Sequence, residues 1–506
     1  MTTTTIAEVM TAPALVAVEE ETLLEAAARM AERGVGSVVV LETGRPIGIL
    51  TERDLLRATA AGADPATATV GAWMTRDPEC LDTEATIDDA WRQLGERGYR
   101  HIPVVVGDEL KGTVSRRNLM ALAQLRPAGE PAMVAPPGLK GVVVAETALG
   151  DVRGNEGFYH YRQYSAPELA ASKTYEDVWH LVFEGELPTA SQRDPFVAEI
   201  AANRHVPTEV LEIVERISSA GIPMASLRTA LSHLAASERL PASLDVPRDV
   251  LRAEAMRLSA AVPTLVAAID RTRRGKAPIA PRDDLGHAAN YLYMLDGEVP
   301  SDERARAVEQ YLILALDHGF NASTFTARAV TSTGADLGAA LVAGVGSLSG
   351  PLHGGAIDRS LETLDAIGTA ARADGWVREA VLAGRTIMGF GHAVYRTPDP
   401  RSTMLREVAL RLAGERGALA VEIEVAVERS LAELKPGREL YTNVEWYGSV
   451  VLEACGIPRD LMPPTFAATR VVGWCAQAME QAADNRIIRP SARYIGPPAP
   501  QPVPID

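Results

Sequence analysis

The feature that most constrains the fold is a gap-free internal repeat at the start of the chain. "EVMT" at 8–11 recurs as "AWMT" at 72–75, so residue 72 corresponds to residue 8, an offset of 64. The same offset aligns "GILTERDLL" at 48–56 with "GTVSRRNLM" at 112–120. Each copy combines a helical apolar pattern with two short β-rich segments around a turn. Because one copy is too small to bury its own core well, we expect the two copies to pack face to face.

The order of these elements, with a Gly-x-x-Ser/Thr-x-x-Asp signature, resembles a tandem pair of CBS domains, an α/β module. This resemblance implies a cleft that binds an adenine nucleotide of the AMP, ADP or ATP type. Thr51 would lie near the phosphates, and Asp54 would accept hydrogen bonds from the ribose hydroxyls. In the second copy Ser115 fits the pattern, whereas Asn118 replaces the aspartate. The alternative is that Asp54 only starts a helix as an acidic first-turn residue.

The repeat is followed by a segment rich in proline and glycine, which predicts how the chain divides into domains. We expect the two repeats at about 1–62 and 63–124, a linker at 125–137 and a second domain at 138–506. In the second domain, Ala/Leu-rich amphipathic runs are punctuated by glycine and proline, and no strand alternation persists. This pattern predicts an all-α domain, or nearly so.

The charge and cysteine content exclude several classes of partner and site. A net charge of -16 argues against nucleic acid or an anionic membrane as the main partner, because both favour a basic face. The longest charge-free segment, 337–357, is interrupted by Gly, Ser, Pro and His, so it does not predict a membrane span. Three cysteines without metal-like spacing, and a first segment unlike a signal peptide, predict a reduced, cytoplasmic protein.

Three histidines, His318, His353 and His392, lie in glycine-rich or loop-like contexts at the ends of predicted helices. Adjacent glycine lets a ligand approach the backbone and leaves the imidazole uncovered. His353 precedes an apparent helix whose dipole disfavours the imidazolium, so we expect a neutral ring that donates a hydrogen bond. The alternative for each histidine alone is a structural role. Without a His pair at i, i+4 near a glutamate, or a Cys/His cluster, the sequence predicts no metal site.

One carboxylate, Glu445, stands among aromatic and apolar neighbours in "YTNVEWYG", a context that suits a base tuned by partial burial. Several arginines follow helix ends or loops, and of these Arg486 and Arg493 fit an ordinary surface role in an arginine-rich chain. Neutral histidine donors, a semi-buried acid and converging arginines suit a reaction on a small polycarboxylate. The expected chemistry is proton abstraction next to a carbonyl, followed by attack of the enolate on a second carbonyl.

Eight collinear motifs between residues 138 and 497 carry a further resemblance. They are GLKGVVVAETALGDV, FEGELPT, NASTFTARAVTST, LSGPLHGGA, GFGHAVYRTPDPR, YTNVEWYG, TRVVGW and DNRIIRP...YIGP. Together they resemble the citrate synthase family in its shorter prokaryotic form, which includes methylcitrate synthases. The resemblance implies an all-α homodimer with a large and a small subdomain, no tightly bound cofactor, and acetyl-CoA as co-substrate.

The resemblance also implies a role for each motif residue. His353 would donate to the thioester carbonyl of the acyl-CoA, and Glu445 would take its methyl proton. His392 would polarise the ketone of oxaloacetate and protonate the new alkoxide, after which water would hydrolyse the citryl-CoA thioester. The remaining residues would bind substrates. The dicarboxylate would be bound by His318, Arg401 and Arg470, together with Arg489 from the partner subunit. The CoA phosphates would be bound by Arg396.

Glu445 departs from the family, which usually has aspartate at this position. An extra methylene moves a carboxylate by about 1.5 Å, and a misplacement of about 1 Å can cost about a hundredfold in rate. Either the backbone is set back to compensate, or the enzyme is slow, or the preferred acyl-CoA differs from acetyl-CoA. We favour compensation.

The leading hypothesis is a citrate synthase that an adenine nucleotide regulates through the CBS pair, in a homodimer or a larger homo-oligomer. Within the same class, the alternative is a 2-methylcitrate synthase that uses propionyl-CoA, which differs by one methyl group. From a different class, a third hypothesis is a nucleotide or acyl-CoA sensor with weak or lost catalysis. The glutamate at 445 favours this last hypothesis, and the intact histidine and arginine set opposes it.

Overall fold

A computed structural model describes residues 5–96, 101–115, 118–119, 134–139, 141–219 and 221–497. The chain divides into two compact units, Met1–Val142 with Ser491–Asp506, and Val143–Pro490. Most of the predicted linker at 125–137 lies outside the described residues. The α/β part occurs in the first unit and the helical part in the second, so the predicted fold class is confirmed.

The first unit contains one small sheet for each copy of the repeat, in the orders β1-β2-β3-β4 and β5-β6-β7. The strands are β1 (Val16–Ala17), β2 (Ser37–Glu42), β3 (Arg45–Thr51), β4 (Thr75–Arg76), β5 (Leu81–Asp82), β6 (His101–Val106) and β7 (Glu109–Ser115). The helices are α1 (Leu23–Arg33), α2 (Glu52–Ala60), α3 (Val70–Trp73) and α4 (Ile87–Glu96).

The offset of 64 seen in the sequence holds in the pairing of the strands. Ala17 pairs with Val40 in parallel, and the corresponding residues Leu81 and Val104 pair in the same way. The antiparallel pair β2–β3 has a register shift directly after Val40, and β6–β7 has one directly after Val104. The repeat in sequence is therefore also a repeat in strand register.

The two copies exchange their first segments rather than only packing face to face. β4, which opens the second copy, pairs antiparallel with β3 of the first. In the corresponding contact on the other copy, Thr11 of the first copy exchanges two backbone hydrogen bonds with Thr113 of β7, at 2.8 and 3.0 Å. Accordingly Met74 lies in the core of the first copy, and Ile6 lies in that of the second.

The glycine of each Gly-x-x-Ser/Thr signature is required by this exchange. A Cβ atom on Gly48 would lie 2.2 Å from Sδ of Met74, and one on Gly112 would lie 2.7 Å from Sδ of Met10. Both distances are far below van der Waals contact, so no larger residue fits without movement. The segment of the opposite copy thus packs directly onto the backbone of β3 or β7.

The second unit is helical apart from a small antiparallel sheet in the order β10-β9-β8. Its strands are β8 (Gly150–Arg153), β9 (Phe158–Tyr161) and β10 (Tyr164–Ser165). Its helices are α5 (Ala166–Ser172), α6 (Tyr175–Glu184), α7 (Ala190–Ala202), α8 (Thr208–Ser218), α9 (Pro223–Ser237), α10 (Arg248–Arg273), α11 (His287–Asp296), α12 (Asp302–Ala315), α13 (Ala322–Thr331), α14 (Leu337–Leu348), α15 (Ile357–Ile367), α16 (Ala370–Leu382), α17 (Pro400–Leu412), α18 (Gly414–Leu434), α19 (Val444–Ala454) and α20 (Met462–Ala483).

The centre of this unit is α20, which is buried over most of its length. It packs against α10, α13 and α14. Arg470 and Trp474 are thereby carried into the interior. Within the described residues, no helix is long and apolar enough to cross a membrane.

Several helices around the centre begin at a side chain that caps their first free N–H groups. The capping residues are Ser301, Asn321, Asp336, Asp399 and Asn443. A capped helix start fixes the backbone while leaving nearby side chains free to face a ligand. Three of these starts lie next to candidate site residues: Asn321 follows His318, Asp399 precedes Arg401, and Asn443 precedes Glu445.

Candidate active site

The three histidines that the sequence singles out all border helix ends of the second unit. His318 follows α12, His353 lies between α14 and α15, and His392 lies between α16 and α17. The rings of His318 and His392 meet edge to face, with 5.4 Å between their centroids. The charge of Arg470 acts on both His318 and His353. All three rings therefore belong to one charged environment.

His392 presents a defined tautomer. Its Nδ1 accepts hydrogen bonds from the backbone N–H groups of Val394 and Tyr395, at 3.0 and 3.1 Å. Because an accepting nitrogen carries no proton, the proton of the neutral ring lies on Nε2. Nε2 is 3.3 Å from Nη2 of Arg401, so two donors lie side by side and suit a carbonyl or carboxylate oxygen. Burial, followed by the charge of Arg401, lowers the pKa of His392 to about 4.

His318 is enclosed by aromatic side chains. Its Nε2 lies 3.0 Å from the hydroxyl of Tyr395, and its ring centroid lies 5.2 Å from that of Tyr159. Burial, followed by the charge of Arg401, holds the pKa of His318 well below its ordinary value. The ring is therefore neutral and adds no charge to the site. Nothing in the spacing of Tyr159 and Tyr395 along the chain predicts that they share this position.

Two buried arginines differ in how their charge is balanced. Arg401, 3% exposed, donates from Nε and Nη2 to the two oxygens of Asp399, at 3.0 and 2.7 Å. Arg470, 2% exposed, donates from Nε to the carbonyl of Ala315 at 2.7 Å. Among the described residues, no carboxylate lies within ion-pair distance of Arg470. The charge of Asp317 acts on Arg470 from beyond that distance. Because Nη1 and Nη2 of Arg470 donate to no described residue, the guanidinium is well placed to bind an anion.

His353 is held by a serine that the sequence does not single out. Oγ of Ser323 lies 2.8 Å from Nε2 of His353 and 2.8 Å from Oδ1 of Asn321, and it accepts the indole N–H of Trp474 at 3.2 Å. These contacts leave Nδ1 as the ring nitrogen that can meet a substrate. Burial, followed by the charge of Arg470, lowers the pKa of His353 to about 4. Ser323 precedes His353 by 30 residues, so no local pattern connects the two.

Glu445 lies in the first turn of α19, where its backbone is held at two points. Asn443 accepts the N–H of Glu445 at 3.2 Å, and Ser360 donates to its carbonyl at 2.8 Å. The half-buried carboxylate makes no hydrogen bond or ion pair to another side chain among those described. Burial raises the pKa of Glu445, while the charges of Arg401 and Arg470 oppose that rise. The group is thus a carboxylate free to act as a base.

Two arginines of the predicted set lie outside this cluster. Arg489 is exposed in the extended segment that follows α20. Arg396 is also exposed, and its guanidinium donates to the carbonyls of His392, Ala393 and Tyr395 in its own loop. Within one chain, neither guanidinium contacts the side chains of the cluster.

The residues predicted to bind a nucleotide in the first unit form helix caps. Oδ2 of Asp54 accepts the N–H and the hydroxyl of Thr51, at 2.9 and 2.7 Å. In the second copy, Oδ1 of Asn118 accepts the same two groups of Ser115, at 3.0 and 2.5 Å. The other oxygen of Asp54 pairs with Arg57 at 2.9 Å. These contacts are the ones expected if Asp54 and Asn118 only cap the start of a helix, which is the alternative to nucleotide binding.

The same described part of the chain contains no group of three or more His, Cys, Asp or Glu side chains that could hold a metal ion. The cysteines Cys80, Cys455 and Cys475 are all free.

Both units match known protein families. The family model described as "Citrate synthase, C-terminal domain" matches residues 138–491, and the CBS domain model matches residues 6–61 and 70–124. Citrate synthase from Deinococcus radiodurans is 38% identical over 360 residues, which cover 71% of this chain and 95% of that protein. 2-Methylcitrate synthase from Mycobacterium tuberculosis is 38% identical over 363 residues, which cover 71% of this chain and 90% of that protein.

A solved structure has the same fold as the second unit. It is citrate synthase from Thermoplasma acidophilum, in a ternary complex with carboxymethyl coenzyme A and oxaloacetate. Its TM-score is 0.68 at 27% sequence identity, and the match covers 73% of this chain and 98% of that chain.

Proposed function

The chain belongs to the citrate synthase family and is an acyltransferase of class EC 2.3.3; we propose that it condenses acetyl-CoA with oxaloacetate to give citrate and CoA. The observation that carries this proposal is the convergence of neutral imidazoles, a partner-free carboxylate and two buried guanidinium groups. These are the groups that enolisation of a thioester and its addition to a ketone require.

In the first step, Glu445 takes a proton from the methyl group of acetyl-CoA. His353 donates from Nδ1 to the thioester oxygen and stabilises the enol. For Nδ1 to carry the proton, Nε2 must accept. Ser323 would therefore turn its single hydroxyl proton from Oδ1 of Asn321 to Nε2, while its oxygen accepts from Trp474. Oδ1 of Asn321 still accepts the backbone N–H groups of Ser323 and Thr324. A neutral donor suits this step because its pKa is closer to that of an enol than an imidazolium's would be.

In the second step, the enol attacks the ketone of oxaloacetate. Nε2–H of His392 and the adjacent Nη2 of Arg401 converge on one oxygen position, which suits the ketone oxygen and the alkoxide that replaces it. Arg470 and His318 bind the carboxylates. Hydrolysis of the citryl-CoA thioester then releases CoA and makes the overall reaction practically irreversible.

We propose that the backbone accommodates the length of Glu445. Asn443 and Ser360 hold the start of α19 at two points, and these contacts set where the glutamate side chain begins. A start of α19 set back from the substrate by about the length of one C–C bond, roughly 1.5 Å, would restore the reach of an aspartate. We therefore propose normal turnover rather than a weakly active sensor.

Two acyl-CoA substrates fit the family of this chain. The Mycobacterium tuberculosis relative, a 2-methylcitrate synthase, is as similar to this chain as the Deinococcus radiodurans citrate synthase, at 38% identity. One methyl group in an apolar pocket is worth only about 1–3 kcal/mol of discrimination. Propionyl-CoA is accordingly the alternative substrate.

An adenine nucleotide bound to the CBS pair would regulate this reaction. Asp54 is 5% exposed and holds a second contact, to Arg57, that a ribose hydroxyl could replace. Regulation requires that the nucleotide bind two states of the protein with different affinity. Both side chains are engaged on two sides, but the second partner of Asp54 is the exposed Arg57, whereas the second partner of Asn118 is Thr11, which is bonded to β7 through its backbone. The first copy is therefore the better candidate.

The assembly is proposed to be a homodimer or a larger homo-oligomer in the cytoplasm. The site as it stands in one chain has Arg401 and Arg470 for the dicarboxylate, and Arg489 lies exposed on the segment after α20. A second subunit would bring its own Arg489 to this site. Arg396 would contact the CoA phosphates once released from the carbonyls of its loop.

The test is thiol release from acetyl-CoA and from propionyl-CoA with oxaloacetate, each with and without AMP, ADP or ATP. Faster turnover of acetyl-CoA supports citrate synthesis, and faster turnover of propionyl-CoA supports the alternative. Turnover of neither by the native protein would overturn the enzymatic proposal.

The nucleotide proposal is tested separately by calorimetry on the native protein and on Asp54→Asn. Asparagine keeps the capping acceptor, as Asn118 does in the second copy, so the fold is retained while the carboxylate is lost. At least tenfold weaker nucleotide binding by Asp54→Asn supports the proposal. No binding of AMP, ADP or ATP to the native protein would overturn it.

A further inference from the structure

Thr442 is a junction at which three segments of the active site meet. Its backbone forms an isolated antiparallel bridge with Phe390, in the loop that leads to His392. Its Oγ1 accepts a hydrogen bond from Ser402, the neighbour of Arg401, at 2.9 Å. A displacement of Thr442 would therefore move the His392 loop and the start of α17 together.

The same junction also determines the start of α19. Asn443, which caps α19 and holds the backbone of Glu445, donates from its backbone to Gly389 at 3.0 Å and from its side chain to Gly391 at 3.1 Å. Gly391 in turn donates to the carbonyl of Tyr441 at 2.8 Å. The loop before α19 and the loop before His392 are thus bonded as one piece.

Two carboxylates of α18 hold Thr442 in place. Oε1 of Glu424 accepts the hydroxyl of Thr442 at 2.7 Å, and Oε1 of Glu428 accepts its backbone N–H at 3.2 Å. The two glutamates are four residues apart and so lie on one face of the helix. Neither contacts a group that the proposed reaction uses directly.

The placement of two acids here is electrostatically unfavourable. Arg406 and Tyr447 both donate to Oε2 of Glu424, whereas Glu428 has no ion pair among the described residues. Burial, followed by the neighbouring Glu424, raises the pKa of Glu428 to about 7. A neutral acceptor such as glutamine could make the same hydrogen bond without this cost.

We propose that Glu424 and Glu428 are positioning residues of the reaction, which act through Thr442 to fix His392, Arg401 and Glu445 relative to one another. The inference rests on the proposed function, since it assigns these three groups to one reaction. The base and the ketone-polarising donor act on different substrates, so their relative placement sets the approach of enol to ketone. A shift of about 1 Å in that approach can cost about a hundredfold in rate.

The experiment compares Glu428→Leu, which removes the acceptor for Thr442, with Glu428→Gln, which retains it. The matched control is Glu433→Leu, because Glu433 is an exposed carboxylate on the same helix that pairs with Arg378 away from Thr442. For each variant, kcat, the KM of both substrates, the dissociation constant of oxaloacetate and the thermal midpoint are measured.

We expect Glu428→Leu to lower kcat at least tenfold while the dissociation constant of oxaloacetate changes less than threefold. Glu428→Gln and Glu433→Leu should both stay within threefold of the native kcat. The split between kcat and oxaloacetate binding, and the recovery by glutamine, separate positioning from a general loss of structure. A Glu428→Leu variant with native kcat, or a Glu428→Gln variant as slow as Glu428→Leu, would overturn the inference.

A second variant keeps the test decisive if Glu428→Leu does not fold. Thr442→Val is close in shape to threonine and removes the hydroxyl that links Ser402 to Glu424. We expect Thr442→Val to lower kcat by a similar factor. If the effects of Thr442→Val and Glu424→Gln on kcat were additive in the double variant, that result would contradict a shared role. Absence of turnover in the native protein would instead count against the proposed function, so the two failures are distinguishable.

Discussion

At Glu445, a carboxylate one methylene longer than the aspartate usual in the family starts a helix whose backbone is held by two side chains. Its carboxylate has no partner among the described side chains, and burial raises its pKa. Nearby, His353 and His392 are neutral, each with one ring nitrogen engaged by a fixed neighbour. At the residue scale, the site therefore combines one carboxylate without a side-chain partner and two imidazoles whose orientation is fixed by neighbouring groups.

The role of Glu445 as the base is tested by Glu445→Gln and Glu445→Asp. Glutamine cannot accept the methyl proton, so kcat should fall by at least a thousandfold, about 4 kcal/mol in activation free energy, while calorimetry should show that oxaloacetate still binds. Aspartate retains the carboxylate but shortens its reach, and if the backbone is set back for glutamate as proposed, a tenfold to hundredfold loss is expected. Near-native turnover by Glu445→Gln would mean that another group is the base.

The pH dependence of turnover should report Glu445 and not the histidines. The base must be ionised, and its pKa is raised, so kcat/KM should fall as pH drops through a value above the ordinary 4.5. The histidines act as neutral groups, and because burial lowers the pKa values of His353 and His392 to about 4, they become charged only at lower pH. In Glu445→Asp the acid limb should move, whereas an acid limb unchanged by that substitution would contradict the assignment.

At the scale of elements, the first unit depends on an exchange that its sequence encodes as a repeat. Each copy supplies a segment that packs against a glycine of the other copy, Met74 on Gly48 and Met10 on Gly112. The exchange explains why neither copy needs to bury its own core alone. In the second unit, the side-chain caps Asn321, Asp399 and Asn443 fix helix starts next to His318, Arg401 and Glu445.

Gly48→Ala should destabilise the first unit in the full-length protein. The new Cβ would lie 2.2 Å from Sδ of Met74, and such overpacking typically costs about 1–3 kcal/mol. The cost should be smaller when Met74→Ala is already present, because the clash partner is then gone. Thermal unfolding of the four proteins of this cycle measures the coupling, and strictly additive effects would argue against the close contact.

At the scale of the whole molecule, Arg489 is exposed and lies apart from the proposed catalytic groups of its own chain, as Arg396 does. The proposed dimer makes a specific prediction for mixed subunits. If Arg489 acts in the partner's site, a dimer of one Glu445→Gln and one Arg489→Ala subunit contains one site with neither defect.

Mixing the two inactive variants, with subunit exchange, should therefore restore activity, to about a quarter of the native value when subunits pair at random. Each variant exchanged with itself is the control and should stay inactive. No recovery in the mixture, with exchange verified by mass, would place Arg489 in its own subunit's site or outside any site.

What the sequence by itself determined is local or repetitive. The offset of 64 carries over into strand bounds, register and helix caps, because pleating and capping depend on residues a few positions apart. The motifs also identified the histidines, Glu445 and the buried arginines that the structure brings together. Hydrophobic periodicity, likewise a local property, predicted the helical second domain.

Only the tertiary structure decided which of these groups act on one another. Trp474 meets Ser323 across 151 residues of chain, and Tyr395 meets His318 across 77. No spacing along the sequence encodes such pairs, because they exist only once helices distant in sequence pack together. The burial of these side chains also arises only when distant helices pack together. Burial and the contacts between distant residues together decide which imidazoles stay neutral and which carboxylate remains free to take a proton.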